Sequence, residues 1–222
     1  EHNSLWLKEE PSVELVKELF SKYDWSKVAE IIFCGFGEPT MRFNDVVEVG
    51  QWLKSIHPDI PLRINTNGLS DLVFGEPTAS RLAGIFDTVS ISLNSSTAQK
   101  YLDVTRNRFG LASYDAMLSF AKACQRYVPN VVMTVVDVIG EEEVAACQKV
   151  CDTHGLHLRV RPYEAEKGAT NKMYEKWNEK LKGEIKSLSL ARFNKNVKAI
   201  VADFDSIPTL DIEKPRVGIV GE

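Results

Sequence analysis

Cysteine is scarce in this sequence, which has only four among 222 residues: Cys34, Cys124, Cys147 and Cys151. They are scattered and lack the dense spacing of a secreted disulfide-stabilised domain, so a reducing cytoplasm is the predicted location. Cys147 and Cys151 are spaced C-x3-C, but the surrounding pattern is helical and places both on one helix face. No third thiol follows nearby, so they are predicted to be buried core residues rather than metal ligands. Cys34 lies in an apolar run and is predicted to be a small buried hydrophobe.

The sequence also lacks an excess of positive charge and any long apolar run. It has 27 Lys and Arg against 31 Asp and Glu, a formal net charge of −4, and no basic tail. Nucleic acid is therefore not an expected partner. No apolar run approaches the ~20 residues of a membrane span, and no signal peptide is visible at the start. Because the first residue is not Met and the last ones resemble a strand entering a loop, we expect a fragment of a longer protein.

Short apolar runs alternate with amphipathic segments along the first 160 residues. Strands are predicted at 30–34, 62–68 with its turn, 87–95, 131–139 and 156–161. Helices are predicted at 11–22, 43–56, near 79–85, 97–104, 112–127 and 141–154, with a loop over 70–78. This alternation predicts an α/β fold with a parallel sheet and right-handed crossovers. It fits either an incomplete barrel or a doubly wound sheet.

The character of the sequence changes after Arg161. A polar hinge at 162–168 precedes a charged, lysine-rich helix over 170–187 and a second helix over 188–203. A loop and a short strand at 217–220 complete the chain. We therefore expect two domains, at 1–163 and 164–222, the second being a helical extension and a candidate fragment of another α/β domain.

The glycine-rich turn after the first strand contains the first candidate site. Gly35 and Gly37 allow a backbone to approach a ligand closely, because glycine has no Cβ. Glu38 follows at the carboxyl end of the strand, where α/β proteins bind ligands, and Pro39 fixes the backbone after it. A carboxylate at this place suits a ligand ammonium group. An equally simple interpretation is that Glu38 only caps the next helix.

Other predicted strand ends carry polar groups that would share one rim with Glu38. They are Thr66 and Asn67 after the second strand, Ser92 and Asn94 after the third, and Arg159 and Arg161 on the fifth. Arg159 or Arg161 could hold a carboxylate, and the amides and hydroxyls could bond ribose hydroxyls or that carboxylate. The backbone of 138–140 could pair with an adenine edge. Asn67 and Asn94 can also be simple turn formers, and the glutamates 141–143 a helix N-terminus.

Four stretches together resemble the radical S-adenosylmethionine (SAM) superfamily. Gly35-Phe36-Gly37-Glu38-Pro39-Thr40 resembles its glycine-glycine-glutamate motif, and the segments 63–68 and 89–94 resemble its next two strands. Residues 139–143, beginning with Ile139, are similar to part of its adenine-contacting pattern. The resemblance covers about residues 1–163. The sequence of 33–40, with Ser4-Leu5-Trp6-Leu7 before it, is most similar to the radical SAM proteins encoded beside TatD-type nucleases.

This resemblance implies a partial (β/α)6 TIM-like barrel lacking its first strand, with SAM and a [4Fe–4S] cluster as cofactors. It implies that Glu38 binds the methionine amino group, that Thr66, Asn67, Ser92 and Asn94 surround the ribose and carboxylate, and that Ile139 lies by the adenine. A ferredoxin or flavodoxin is an expected electron donor. The cluster motif C-x3-C-x2-C is not in the chain and is expected before Glu1, so no metal ligand is assigned and the chain alone is expected to be inactive.

A second resemblance covers about 161–222. Arg161-Pro162-Tyr163-Glu164 and 214–222 resemble parts of the 2-hydroxyacyl-CoA dehydratase family and its activase-related proteins. This resemblance implies that the chain is composite. It leaves open an alternative function, a non-catalytic α/β module that binds a nucleotide or acyl-CoA. The substrate of either function is not indicated by the sequence.

Overall fold

The computed structural model of the chain describes residues 10–35, 37–162, 169–184 and 190–205. The described residues up to Arg161 form one compact unit, and those from Pro162 onward form a second. The expected domain boundary near residue 163 remains a prediction. No helix in the described ranges is long and apolar enough to cross a membrane.

The first unit is built on one parallel five-stranded sheet. Its strands are β1 (Ile31–Phe33), β2 (Leu62–Thr66), β3 (Thr88–Ser92), β4 (Asn130–Val136) and β5 (His157–Arg161). They pair in the order β1-β2-β3-β4-β5, and every pairing is parallel. Right-handed crossovers between strands in sequential order place all the connecting helices on one side of the sheet. The sequential strand order therefore identifies a partial TIM-like barrel. It excludes a doubly wound sheet, whose strand order reverses at a switch point.

Helices alternate with these strands. In the first unit they are α1 (Val13–Ser21), α2 (Phe43–Ile56), α3 (Ser70–Phe74), α4 (Ala98–Thr105), α5 (Ala112–Cys124) and α6 (Glu141–His154). The prediction of a loop over 70–78 is wrong at its start, because α3 begins there and ends at the left-handed Gly75. The helix expected near 79–85 is one turn of 3-10 helix, Ala79–Leu82. The fourth strand ends earlier than expected, since Asp137–Ile139 form another such turn.

The two faces of the sheet differ sharply in chemistry. The face toward the helices is apolar and almost fully buried, as shown by Leu62, Ile64, Val89, Ile91 and Met133. We call the opposite face the inner face, because it lines the concave side of a barrel. The inner face consists mainly of polar residues: Arg63, Asn65, Thr88, Ser90, Ser92, Thr134, His157, Arg159 and Arg161. Apart from the buried Thr134, these are half-buried or exposed, so one face builds the core and the other faces a ligand space.

The cysteine predictions have two outcomes. Cys147 and Cys151 are fully buried on α6, which confirms that they are core residues. Cys34 lies directly after β1, where it still forms a single β-bridge, and it is only half-buried. The predicted burial of Cys34 is therefore wrong, because the residue lies at the very end of the strand pairing.

The second unit contains two helices, α7 (Ala169–Glu184) and α8 (Leu190–Asp205). Asp203 on α8 accepts hydrogen bonds from Lys176 at 2.8 Å and from the indole of Trp177 at 2.9 Å, and Trp177 is buried. The expected hinge beyond Pro162, the expected loop and strand near the end of the chain, and most residues of the second resemblance lie outside the described residues.

Gly68 is expected to be irreplaceable for packing. Its φ is +74°, and an added Cβ would lie 2.9 Å from Ile91 and 3.1 Å from Met117. Gly68→Ala should lower the free energy of unfolding by about 2–5 kcal/mol, combining left-handed strain with overpacking. Gly75 is a matched control, since its φ is +70° but nothing lies within 4 Å of an added Cβ. Gly75→Ala should cost only about 1–2 kcal/mol in the same denaturant titration, and equal losses would contradict the packing argument.

Candidate functional site

The Glu38 carboxylate is held by four donors from two segments of the chain. Its Oε1 accepts from the backbone N of Thr40 at 3.1 Å and from the hydroxyls of Thr40 and Thr66, both at 2.7 Å. Its Oε2 accepts from the backbone N of Asn67 at 2.7 Å. The side chain is half-buried. Glu38 therefore bridges the loop after β1 to the end of β2, with its charge fixed at the carboxyl-end rim of the sheet.

The capping interpretation of Glu38 is also correct. Glu38 is the N-cap of the short 3-10 helix Pro39–Arg42, and its side chain accepts from the first free amide there. A cap alone needs only that one bond. The further bonds to Thr66 and Asn67 align the carboxylate with β2 and leave Oε2 with spare acceptor capacity for a ligand donor.

The turn after β2 is built by its own side chains. The Thr66 hydroxyl, on the helix side of the sheet, accepts from the backbone N of Gly68 at 3.0 Å, and Thr66 is buried. The Asn67 side-chain oxygen accepts from the backbone N of Leu69 at 2.9 Å. Thr66 therefore acts as a positioning residue beneath Glu38. Asn67 is a turn former through its oxygen, and its amide NH2 makes no hydrogen bond with the described residues.

The end of β3 has an unusual backbone at Asn94. Its φ is +62°, a left-handed conformation that asparagine tolerates better than most residues. Within the described part of the chain its side chain makes no hydrogen bond, although the residue is half-buried. Ser92 lies two residues earlier on the inner face and is likewise half-buried. A strained backbone that presents an unused amide is typical of a binding position.

The start of α6 closes the rim beside β3. Gly140 has a φ of +88°, and Ile139 packs against the hydrophobic core. Glu143, in the first turn of α6, accepts from the backbone N of Ser96 at 2.7 Å and from its hydroxyl at 2.8 Å, and pairs with Lys100. The glutamates 141–143 form the first turn of α6, which confirms the prediction that they mark a helix N-terminus. Glu143 in addition ties α6 to the loop after β3.

The hydrogen bonds from Ser96 to Glu143 should control how well the loop at 95–97 is ordered. Hydrogen bonding to Lys100 and Ser96 lowers the pKa of Glu143. A lowered carboxyl pKa contributes stability above the unfolded-state value, and this contribution is lost as the pH falls through the folded-state value. Glu143→Gln should therefore speed amide exchange at 95–97 at pH 7, with the exposed Glu142 as the control position. Unchanged exchange would show that the tie does not order the loop.

The remaining candidates occupy different places. Gly35 is exposed and Gly37 half-buried on either side of Phe36, which is outside the described residues, and Pro39 is buried. Arg159 is exposed on the inner face of β5. Because β5 is four strand spacings from β1, Arg159 lies roughly 19 Å from the β1 end when measured along the sheet. The structure therefore brings Glu38, Asn67, Ser92 and Asn94 to neighbouring strand ends and leaves Arg159 at the far edge.

Three buried polar atoms have no hydrogen-bond partner in the described part of the chain: Asn65 Oδ1, Ser95 Oγ and the Tyr101 hydroxyl. Burial, helped by the negative charge of Glu38, raises the pKa of Tyr101 to about 12. Tyr101 is thus a neutral phenol at physiological pH. Because an unpartnered buried polar atom is costly, each of the three indicates a position for a polar group of a ligand or for a water.

A cleft of about 540 Å³ lies at the opposite rim of the sheet. It is lined by the amino ends of β4 and β5 and the turns before them, including Asn130, Gly155 and His157. We place the candidate site at the carboxyl-end rim instead, because barrels bind ligands there and the fixed carboxylate lies there. The amino-end cleft contains no comparable charge arrangement among its lining residues.

The chain's cysteines do not form a cluster site. In the described ranges, no three His, Cys, Asp or Glu side chains converge to hold a metal ion. Burial raises the pKa of Cys147 and Cys151 to about 11 and that of Cys124 to about 12, so they remain protonated thiols. A [4Fe–4S] cluster of this kind is held by three cysteines, and only Cys147 and Cys151 share a helix face, so these residues do not fit one.

Thr40 and Glu143 lie in stretches that the sequence singled out, but neither was predicted to take part in this site, and Tyr101 was missed altogether. Thr40 could have been found, since a residue two places after a capping carboxylate regularly supplies the capped amide. The contacts of Glu143 with the loop after β3 span 47 residues and have no local signal. The position of Tyr101 depends on how α4 packs, which the helical pattern alone does not determine.

Comparison with known proteins now identifies the class. The Radical SAM superfamily matches residues 2–149, which is well over half of the chain, so the chain belongs to this superfamily. Members of this family use SAM and a [4Fe–4S] cluster. No significant match was found among curated protein sequences.

Among solved structures, the chain is similar to a radical SAM methyltransferase from Sphaerobacter thermophilus. The two share 14% sequence identity with a TM-score of 0.48. The alignment covers 96% of this chain and 58% of that one. The chain therefore spans little more than half the length of that structure, and its similarity carries no argument about activity.

Proposed function

We propose that this chain is the SAM-binding part of a radical SAM enzyme. The observation that carries the proposal is the Glu38 carboxylate, fixed by Thr40, Thr66 and Asn67 at the carboxyl-end rim inside the region that matches the family. A carboxylate that is already oriented can accept from an ammonium group without paying further side-chain entropy. In this proposal Glu38 binds the α-ammonium group of SAM.

The neighbouring strand ends bind the rest of the methionine and ribose. In this proposal the amide of Asn67, one strand from Glu38, and the side chains of Ser92 and Asn94, two strands away, bond the carboxylate on the same carbon as the ammonium group. Ribose hydroxyls lie beyond them. Ile139 and the backbone around Gly140, after β4, contact the adenine. Gly35, Gly37 and Pro39 shape the turn that carries Glu38, and Thr66 positions it from below.

SAM supplies the 5′-deoxyadenosyl group from which family members generate their radical. We propose that the cluster cysteines come from sequence preceding Glu1, because no three of the chain's four cysteines have the C-x3-C-x2-C spacing. A ferredoxin or flavodoxin is the proposed electron donor, and the cytoplasm the proposed location. Within the superfamily we propose that the chain belongs to the TatD-associated group, because the sequence of residues 33–40 resembles that group. No observation on the described residues favours the acyl-CoA module.

The test uses the protein extended upstream along its natural coding sequence and reconstituted with iron and sulfide. On reduction it should convert SAM into methionine and 5′-deoxyadenosine, quantified by chromatography. The same preparation carrying Glu38→Ala should lose most of this product at subsaturating SAM. Product formation that needs no upstream cysteines, or that does not depend on Glu38, would overturn the proposal.

A further inference from the structure

The inner face of β5 carries two arginines in alternate positions. Arg159 and Arg161 project from the same face, because side chains along a strand alternate with a period of two. Arg159 is in register with Thr134 on β4, which is in register with Ser92 on β3. Both arginines are exposed. They therefore face the same space as the polar residues of the proposed SAM site.

Neither arginine has an acidic partner among the described residues. Arg63, also on the inner face, shows the contrast, since it binds Glu30 through Nε at 3.0 Å and through a terminal nitrogen at 2.5 Å. Arg159 and Arg161 lie two residues apart on one strand, at about 7 Å, so their charges repel. An anion between them would relieve that repulsion and could accept bidentate hydrogen bonds.

The SAM carboxylate is poorly placed to be that anion. The ammonium and carboxylate of SAM are attached to the same carbon atom, and β1 is separated from β5 by four strand spacings, roughly 19 Å along the sheet. With the ammonium at Glu38, the carboxylate lies beside Asn67, Ser92 and Asn94 on nearer strands. The adenosine, which extends toward β4, has no anionic group, so SAM would not neutralise the two arginines and another molecule could bind them.

A second feature of the inner face also points to a ligand. Asn65 Oδ1 is buried on this face and has no hydrogen-bond partner within the described ranges. Ser90 is in register with it on β3. A buried acceptor without a partner is expected only where a ligand or water supplies the donor. The inner face thus offers an acceptor at one side and two cations at the other.

We propose that Arg159 and Arg161 form a subsite for an oxyanion, a phosphate or a carboxylate, of the small-molecule substrate. The arginines hold this group by charge-assisted hydrogen bonds at the β5 edge, while SAM occupies the rim from β1 to β4. The proposal rests on the proposed function and names a substrate class for it. It reassigns Arg159, which the sequence placed at the SAM carboxylate.

The test measures binding of three probes to the whole chain by calorimetry: inorganic phosphate, succinate and S-adenosylhomocysteine (SAH). The variant is Arg159→Gln/Arg161→Gln, and the control is Arg126→Gln, an exposed arginine in the turn between α5 and β4. The double variant should bind its preferred anion at least 10-fold more weakly and SAH within threefold of the wild type. The control should match the wild type for all three probes.

The pattern of affinities separates the possible outcomes. Tighter binding of phosphate than succinate indicates a phosphate ester, and the reverse indicates a carboxylate; both support the subsite. Equal anion affinity in wild type and double variant, or no anion binding at all, overturns it. A loss of SAH affinity as large as the loss for the anion also overturns it, because the arginines would then hold the SAM carboxylate. Failure of the wild type to bind SAH contradicts the proposed function instead.

Discussion

Replacing Glu38 with glutamine is expected to weaken SAH binding by about 10- to 100-fold. A charge-assisted hydrogen bond from the ligand ammonium contributes about 1.5–3 kcal/mol, and the neutral amide cannot replace it. Glutamine also places its NH2 group either where Thr66 donates to Oε1 or where the backbone of Asn67 donates to Oε2, so one of these donors loses its acceptor. The side chain would have to turn away, and the ligand partner would be lost with it. Calorimetric titration of SAH measures this change directly.

The control for this variant is Glu141→Gln. Glu141 is exposed in the first turn of α6 and carries the same charge. A general electrostatic attraction would be lost equally from both positions, whereas a specific ammonium contact would be lost only from Glu38. SAH affinity within threefold of the wild type for both variants would remove Glu38 from the site.

The chain by itself is expected to assemble no iron–sulfur cluster. Reconstitution of residues 1–222 with iron and sulfide should leave essentially no bound iron after gel filtration, a complete loss relative to the upstream-extended protein. The thiols of Cys147 and Cys151 have a pKa near 11. Deprotonating either one at pH 7 costs roughly 5 kcal/mol, since each pKa unit corresponds to ~1.4 kcal/mol. Both are also fully buried on α6.

A double variant separates structural from ligating cysteines. In the extended protein, Cys147→Ala/Cys151→Ala should keep the iron content and visible absorbance of the wild type. Its thermal stability should fall, because two buried sulfur atoms leave small cavities. Stoichiometric iron on residues 1–222, lost in the same double variant, would show that the pair on α6 binds the cluster after all.

The strands were predictable from sequence because each is a short apolar run closed by turn residues. Leu62–Thr66 and Thr88–Ser92 also alternate, with polar residues at every second position on the inner face, and that alternation marks this face. The choice between barrel and doubly wound sheet was not predictable in this way. It depends on the order in which strands pair, and the periodicity of a single strand contains no information about its neighbours.

The candidate site was predictable in its residue types but not in their roles. Glu38 was recognisable as a carboxylate at a strand end, and the structure adds that it caps a 3-10 helix and bridges to β2. Thr66 was expected around the ribose and carboxylate. It lies on the helix side, bonded to Glu38, because the strand's alternation turns it away from the inner face. Thr66 therefore acts on a ligand only through Glu38, and this indirect role depends on a contact between residues that are 28 apart in the sequence.

The most direct test of the account is to locate SAH on the chain by amide chemical-shift mapping. Titration into the isotope-labelled protein should shift the amides of Asn67, Asn94 and Gly140 at the carboxyl-end rim. The amides of Asn130 and Gly155, at the cleft on the opposite rim, should stay in place. Saturable shifts at the carboxyl-end rim that weaken in Glu38→Gln would support a SAM site built on that carboxylate. Shifts confined to the amino-end cleft, or no shifts at saturating SAH, would contradict it.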